Sequence, residues 1–298
     1  MGAPPERVGA VLALLLNAFI WGVSWWPFRQ LADAGLHALW ATAGVYLLAA
    51  VAIEAWRPGS LRATWRARSV WWLGLAAGIT NACFNWGVAI GDVVRVVLLF
   101  YLMPLWAVLL ARMVLGEPVT VGALARIALA LAGAVVVLKP PGAEWPVPRG
   151  LPDLLALAGG FAFALTNVML RREHARPDAV RATAMFVGGV VVPGGLAAAL
   201  ATGGALAWPP APATDWLAGT ALLGLAFIAA NFALQHGAAR LPSGVTSVVL
   251  LSEVVFAALS AVLLGGAALE SRTLAGGAMI IGASLWSALA ASRAPKEA

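Results

Sequence analysis

VVRVVLLFYLMPLWAVLLARMVLGEPVTVGALARIALALAGAVVVL, residues 93–138, decides the fold. One apolar run carries Leu102-Met103-Pro104 and stops at Leu115-Gly116-Glu117; a second carries Ala132-Gly133-Ala134. The same plan returns at residues 244–287, where Leu251-Ser252-Glu253 runs to Leu264-Gly265-Gly266 and the next run carries Gly282-Ala283. The matched letters include Val96/Val245, Leu102/Leu251, Leu110/Leu259, Leu115/Leu264, Gly116/Gly265 and Gly133/Gly282, all at one offset of 149 residues. Matched spacing with sparse identities is the mark of an internal duplication.

Composition excludes a soluble domain. The chain is 62% hydrophobic and only 11% charged, with mean hydropathy +0.89, against about one quarter charged in ordinary globular chains. Ten apolar segments each have the roughly 20 residues needed to cross about 30 Å of hydrocarbon. They lie near 8–28, 36–55, 70–91, 93–114, 120–138, 151–170, 181–202, 216–236, 244–264 and 272–291. A spanning segment must satisfy its own backbone, so each is expected to be a helix. Breakers fall between them, as in Arg57-Pro58-Gly59, Lys139-Pro140-Pro141-Gly142, Pro209-Pro210-Ala211-Pro212 and Leu241-Pro242-Ser243. The N-terminal run reads as a first spanning helix and not as a cleaved signal. The lone Cys83 allows no intrachain disulfide.

The basic balance of +6 points to topology and not to nucleic acid, because the cations are spread among short loops. With a cytoplasmic N-terminus, fourteen of the nineteen lie on the cytoplasmic side: Arg7, Arg57, Arg62, Arg66, Arg68, Arg112, Arg126, Arg171, Arg172, Arg176, Arg181, Arg240, Arg293 and Lys296. Arg29, Arg95, Lys139, Arg149 and Arg272 are left outside. The positive-inside rule then puts both termini in the cytoplasm. The repeat extends outward, with Ala41-Thr42-Ala43 returning as Ala182-Thr183-Ala184, and Trp21 and Trp25 falling opposite Phe163 and Asn167. The expected fold is an all-α membrane protein of ten transmembrane helices in two five-helix repeats, 1–140 and 150–292. Five is odd, so the second repeat is inverted, and such repeats hold a substrate near the midplane between the halves.

Five-plus-five spans with Pro104 within the fourth, Leu115-Gly116-Glu117-Pro118 and Ala132-Gly133-Ala134 resemble the EamA-type transporters of the drug/metabolite transporter superfamily. In the second half Glu253 stands opposite Pro104, and Gly266 stands where the resemblance would put a glutamate. Richness in Trp without a mid-membrane Lys or Arg is most similar to the bacterial YddG-like aromatic amino-acid exporters. The resemblance implies an inner-membrane exporter working by alternating access, without a cofactor.

Polar residues inside the spans supply candidate chemistry. Asn81 and Asn85 lie at i,i+4, and with one residue of slippage Asn231 and Gln235 answer them in the other half. Amides donate and accept, which suits a zwitterion shedding water; the alternative is interhelical hydrogen bonding of about 1 kcal/mol or less. Glu253 with Ser252 is central in the ninth span, where a charge costs about 2.5–3.5 kcal/mol on insertion scales, so it faces a wet cavity, finds a partner or is protonated. It is a candidate for the substrate ammonium or for a coupling proton, and otherwise a structural carboxyl. Trp21 and Phe163 form a candidate aromatic wall, with Tyr101 and Asn167 as further lining, or else they pack the interior. Pro104 offers a bend for gating or a static kink. Gly74, Gly78, Gly122, Gly133, Gly276, Gly277 and Gly282 read as helix-packing positions.

No phosphate loop for a pump and no metal-binding set for an intramembrane enzyme occurs in the sequence. The set of amides, aromatics and one carboxylate fits an α-amino acid with an aromatic or large neutral side chain; an organic cation is the competing substrate. The expected partners are that small molecule, the bilayer and a coupling proton, with no nucleic acid and no metal, and the protein is expected to be a monomer.

Overall fold

The computed structural model describes residues 4–293 apart from 92, 140–141, 143–147, 212–213 and 266–269. Pro140, Pro141, Trp145, Pro212, Gly266 and Lys296 thus lie outside the described residues, as do the side chains of Arg95 and Arg293. The described residues form helices and no strand: α1 (Pro4–Val23), α2 (Trp25–Asp33), α3 (Ala38–Trp56), α4 (Ser60–Arg66), α5 (Ser69–Ile90), α6 (Val93–Phe100) and α7 (Met103–Leu115). After these come α8 (Val121–Leu138), α9 (Leu151–Arg172), α10 (Asp178–Thr202), α11 (Thr214–Arg240), α12 (Ser243–Leu250), α13 (Glu253–Gly265) and α14 (Ser271–Arg293).

Eight helical stretches among the described residues are long and apolar enough to cross a membrane, α1–α2, α6–α7 and α12–α13 each counting as one. The other two expected spans, 70–91 and 272–291, are helices as well, α5 and α14. The short α4 was not expected. Pro58 and Gly59 read as a loop, yet the Glu54 carboxylate accepts from Gly59 N at 2.7 Å, Ser60 Oγ at 2.7 Å and Leu61 N at 2.8 Å, which caps a helix start.

The fourth expected span is not one helix bent at Pro104. It breaks at Tyr101-Leu102, and Pro104 sits in the first turn of α7, where its missing N–H costs nothing. The ninth breaks at Leu251-Ser252. Boundaries then correspond at 150 residues and not 149: Val93/Ser243, Phe100/Leu250, Met103/Glu253, Leu115/Gly265 and Val121/Ser271. At this offset Asn81 meets Asn231 and Asn85 meets Gln235 with no slippage, and Glu253 answers Met103 where the sequence had suggested Pro104.

Packing repeats the same correspondence. Pair α1–α2 with α9, α3 with α10, α5 with α11, α6–α7 with α12–α13, and α8 with α14. Exchanging partners turns the α5–α9 contact into α11–α1, α5–α10 into α11–α3, and α7–α9 into α13–α1, all of which exist; α3–α10 and α8–α14 map onto themselves. Glycine permits the closest of these contacts. A Cβ on Gly133 would lie 2.7 Å from the Gly276 carbonyl, and one on Gly276 would lie 2.5 Å from the Gly133 carbonyl. Gly74 and Gly78 meet α10 in the same way. Gly282 has open space, Gly122 meets only an Arg126 side chain, and Gly277 is 3.8 Å from Val255, so these three expected packing positions are not close approaches.

Candidate functional site

The two broken helices define the centre. At the first break Tyr101 N donates to Val97 O at 3.0 Å and Leu102 N to Leu99 O at 3.2 Å; at the second, Leu251 N donates to Val248 O at 3.2 Å and Ser252 N to Val249 O at 3.0 Å. Each second half-helix then starts afresh, so Glu253 occupies the first residue of α13, where the helix dipole favours a carboxylate. The Tyr101 hydroxyl lies within hydrogen-bonding reach of the Glu253 carboxyl, so the breaks of the two halves face each other. Glycines in the first helix of each half abut these breaks: a Cβ on Gly22 would lie 2.8 Å from Glu253 O, and one on Gly160 would lie 2.5 Å from Phe100 O. Glu253 keeps part of its surface accessible, whereas Ser252 is buried and its hydroxyl donates to Val249 O at 2.7 Å.

Aromatic rings gather in two groups. Phe100 stacks on Phe163 at 5.8 Å and contacts Phe84 at 4.8 Å and Tyr101 at 5.9 Å. Trp21 stacks on Phe227 at 4.4 Å, and Phe227 also meets Tyr46 at 5.9 Å and Phe28 at 6.0 Å. Trp21 and Phe163, paired by the repeat, therefore sit in separate groups. Phe84, Phe100, Tyr46 and Phe227 were not among the expected site residues, because an aromatic in an apolar run carries no sign of which face it occupies.

Most of the amides have protein partners. Asn81 accepts from the Tyr46 hydroxyl at 3.0 Å and donates to Ala77 O at 2.8 Å; Asn85 donates to Thr42 Oγ1 at 2.5 Å. Gln235 donates to Asn231 Oδ1 at 2.6 Å, and Asn231 to Met185 Sδ at 3.4 Å. Asn167 differs: it is 1% exposed and, among the described residues, neither its oxygen nor its nitrogen has a partner, and the Gln235 oxygen is likewise buried and unpartnered there. Buried amide atoms are nearly always hydrogen-bonded in folded proteins, which sets these atoms apart from the other amides. Among the described residues no group of His, Cys, Asp and Glu is placed to hold a metal.

A cavity of about 1250 Å³ lies elsewhere and contains none of the expected site residues. Arg126, Arg171, Arg172, Arg181 and Arg240 line it, against Glu6, Glu117 and Asp178. Helix ends converge there. The starts of α1, α8, α10 and α12 and the ends of α7, α9, α11 and α14 all reach it, so α1 begins where its counterpart α9 ends, and α8 begins where α14 ends.

The comparisons with known proteins agree with this arrangement. A solved crystal structure superposes with a TM-score of 0.76 over 96% of this chain and 99% of its own, at 22% identity, and so shares the fold along nearly the whole length. No curated protein matches the chain. Residues 8–139 match the EamA-like transporter family, so this multi-pass membrane protein carries an EamA-like domain of the drug/metabolite transporter superfamily.

Proposed function

We propose that the whole chain is a secondary transporter, built as two inverted five-helix repeats, 1–140 and 150–292, that together make ten spans. It exports amino acids with aromatic or large neutral side chains across the bacterial inner membrane, as YddG-like exporters do, with both termini cytoplasmic. The observation that carries the reading is the meeting of two discontinuous helices at Tyr101 and Glu253, since broken helices at a repeat interface are where such transporters bind substrate. Opposite running directions of α1 and α9, and of α8 and α14, around one cavity support the inversion.

In this reading Glu253 receives the ammonium, the amides Asn81, Asn85, Asn167, Asn231 and Gln235 with Ser252 receive the carboxylate, and Trp21, Tyr101 and Phe163 take up the side chain. The orphaned Asn167 is the amide with most to gain from a ligand. The turn ahead of Pro104 is the hinge about which the fourth span alternates between access states. Export needs no cofactor, and a monomer is the working unit.

An organic cation is the second reading, because the Glu253 carboxyl beside the Tyr101 ring would also hold one. Equilibrium binding of labelled phenylalanine to purified protein, competed with tryptophan, threonine and tetraphenylphosphonium, separates the two. Displacement by tryptophan supports the amino-acid reading; binding of the phosphonium without phenylalanine binding overturns it.

A further inference from the structure

The Glu117 carboxylate ties the halves together at the rim of the large cavity. It lies 2.5 Å from Arg171 Nε and accepts from the backbone N–H of Ser243, at the start of α12, at 3.2 Å. Arg171 also donates to Leu241 O at 2.9 Å. The contact to Arg171 is one of charge more than of direction, because Glu117 Oε1 receives no well-aligned hydrogen bond.

Around this pair the cavity holds more positive groups than it uses. Arg181 is 2% exposed; it pairs with Asp178 and donates to Leu170 O at 3.4 Å, but its buried Nε has no partner among the described residues. Arg172 has no hydrogen bond or ion pair among the described residues. A cavity of about 1250 Å³ is as large as those that enclose small-molecule ligands, roughly 300–1,000 Å³, and far larger than one side-chain carboxylate requires.

We infer that this vestibule is an oxyanion-binding site for a carboxylate or phosphate group, built on Arg171, Arg172 and Arg181, in which Glu117 is an internal occupant that an incoming anion displaces. Guanidinium groups suit such ligands because their N–H fork matches two oxygens at once. Displacement would also release the tie between Glu117 and the start of α12, so anion binding and separation of the halves at this end are coupled. The inference stands whether or not amino acids are the transported substrate.

Binding of labelled inorganic phosphate and of labelled benzoate, at fixed ionic strength, tests it on purified wild-type protein and on Glu117→Gln, Arg171→Gln and Arg172→Gln. Melting without ligand shows which variants are folded. Saturable binding of either anion, at least tenfold tighter in E117Q and at least tenfold weaker in R171Q or R172Q, is expected. Protein in phosphatidylglycerol nanodiscs compared with phosphatidylcholine nanodiscs distinguishes the sources: loss of soluble-anion binding in phosphatidylglycerol alone identifies a lipid headgroup as the ligand. No saturable binding to wild type or E117Q in phosphatidylcholine, or equal affinity across all four proteins, overturns the inference.

Discussion

Replacing Gly276 by Ala tests the helix contact that joins the two halves at α8 and α14. The added methyl would lie 2.5 Å from Gly133 O, 2.7 Å from Val137 Cγ2 and 3.0 Å from Val137 N. A carbon resting against a carbonyl oxygen needs roughly 3.3 Å, so α14 must retreat by about 0.8 Å, and the obstacle is backbone that no rotamer change can move. Overpacking of this kind costs about 1–3 kcal/mol. Gly133→Ala meets the Gly276 carbonyl at 2.7 Å and demands the same separation. The double variant should therefore lose less than the sum of the single losses. Gly282→Ala is the control: it has open space, and Ala is favoured over Gly in a helix by up to about 1 kcal/mol. Thermal unfolding in detergent should rank Gly282→Ala at or above wild type, with Gly276→Ala and Gly133→Ala below it. A Gly276→Ala protein that melts with wild type or later would refute the close contact.

Two further predictions concern single polar groups. Asn167→Leu removes two buried unpartnered atoms, each of which costs about 1–3 kcal/mol when unsatisfied; the ligand-free protein should melt later while phenylalanine binding weakens, and an earlier melt would show that Asn167 has a partner. His37 accepts from Leu39 N at 3.2 Å as the cap of α3, and partial burial holds its pKa below the ordinary 6.5. Its stabilising contribution is therefore complete above the unfolded value and is lost as pH falls through the lower folded value, where the protonated Nδ1 can no longer accept. His37→Asn, which caps without titrating, should melt with less pH dependence between about pH 7 and pH 5; an unchanged profile would remove His37 from the acid response.

The helical class was legible in sequence because apolar length is a one-dimensional signal, and the spacing that suggested a duplication returns as helix boundaries matched at 150 residues. The amide pairs were also legible, though the 149-residue offset required a slip that the structural correspondence at 150 removes. The breaks were not. Tyr101-Leu102 and Leu251-Ser252 contain neither Gly nor Pro, and the closest approaches at these breaks are made by Gly160 and Gly22, which lie far away along the chain. Pro104 drew attention to the right span but two residues late, since proline is at home in a first helical turn. Gly282 was singled out for its match to Gly133, yet Gly276 makes the contact; spacing within a repeat does not say which helical face is buried. The vestibule was hidden for a similar reason. Glu117 read as part of a family motif, and Arg171 and Arg181 as topology residues, until the helix ends were brought to one place.

Counterflow of labelled phenylalanine into liposomes preloaded with unlabelled phenylalanine, comparing wild type with Glu253→Gln, tests the central claim most directly. Transient accumulation by wild type, blocked by external tryptophan and reduced at least tenfold in the folded variant, is predicted. Absence of accumulation in a wild-type preparation that still moves tetraphenylphosphonium, or full activity of Glu253→Gln at every pH, would contradict it.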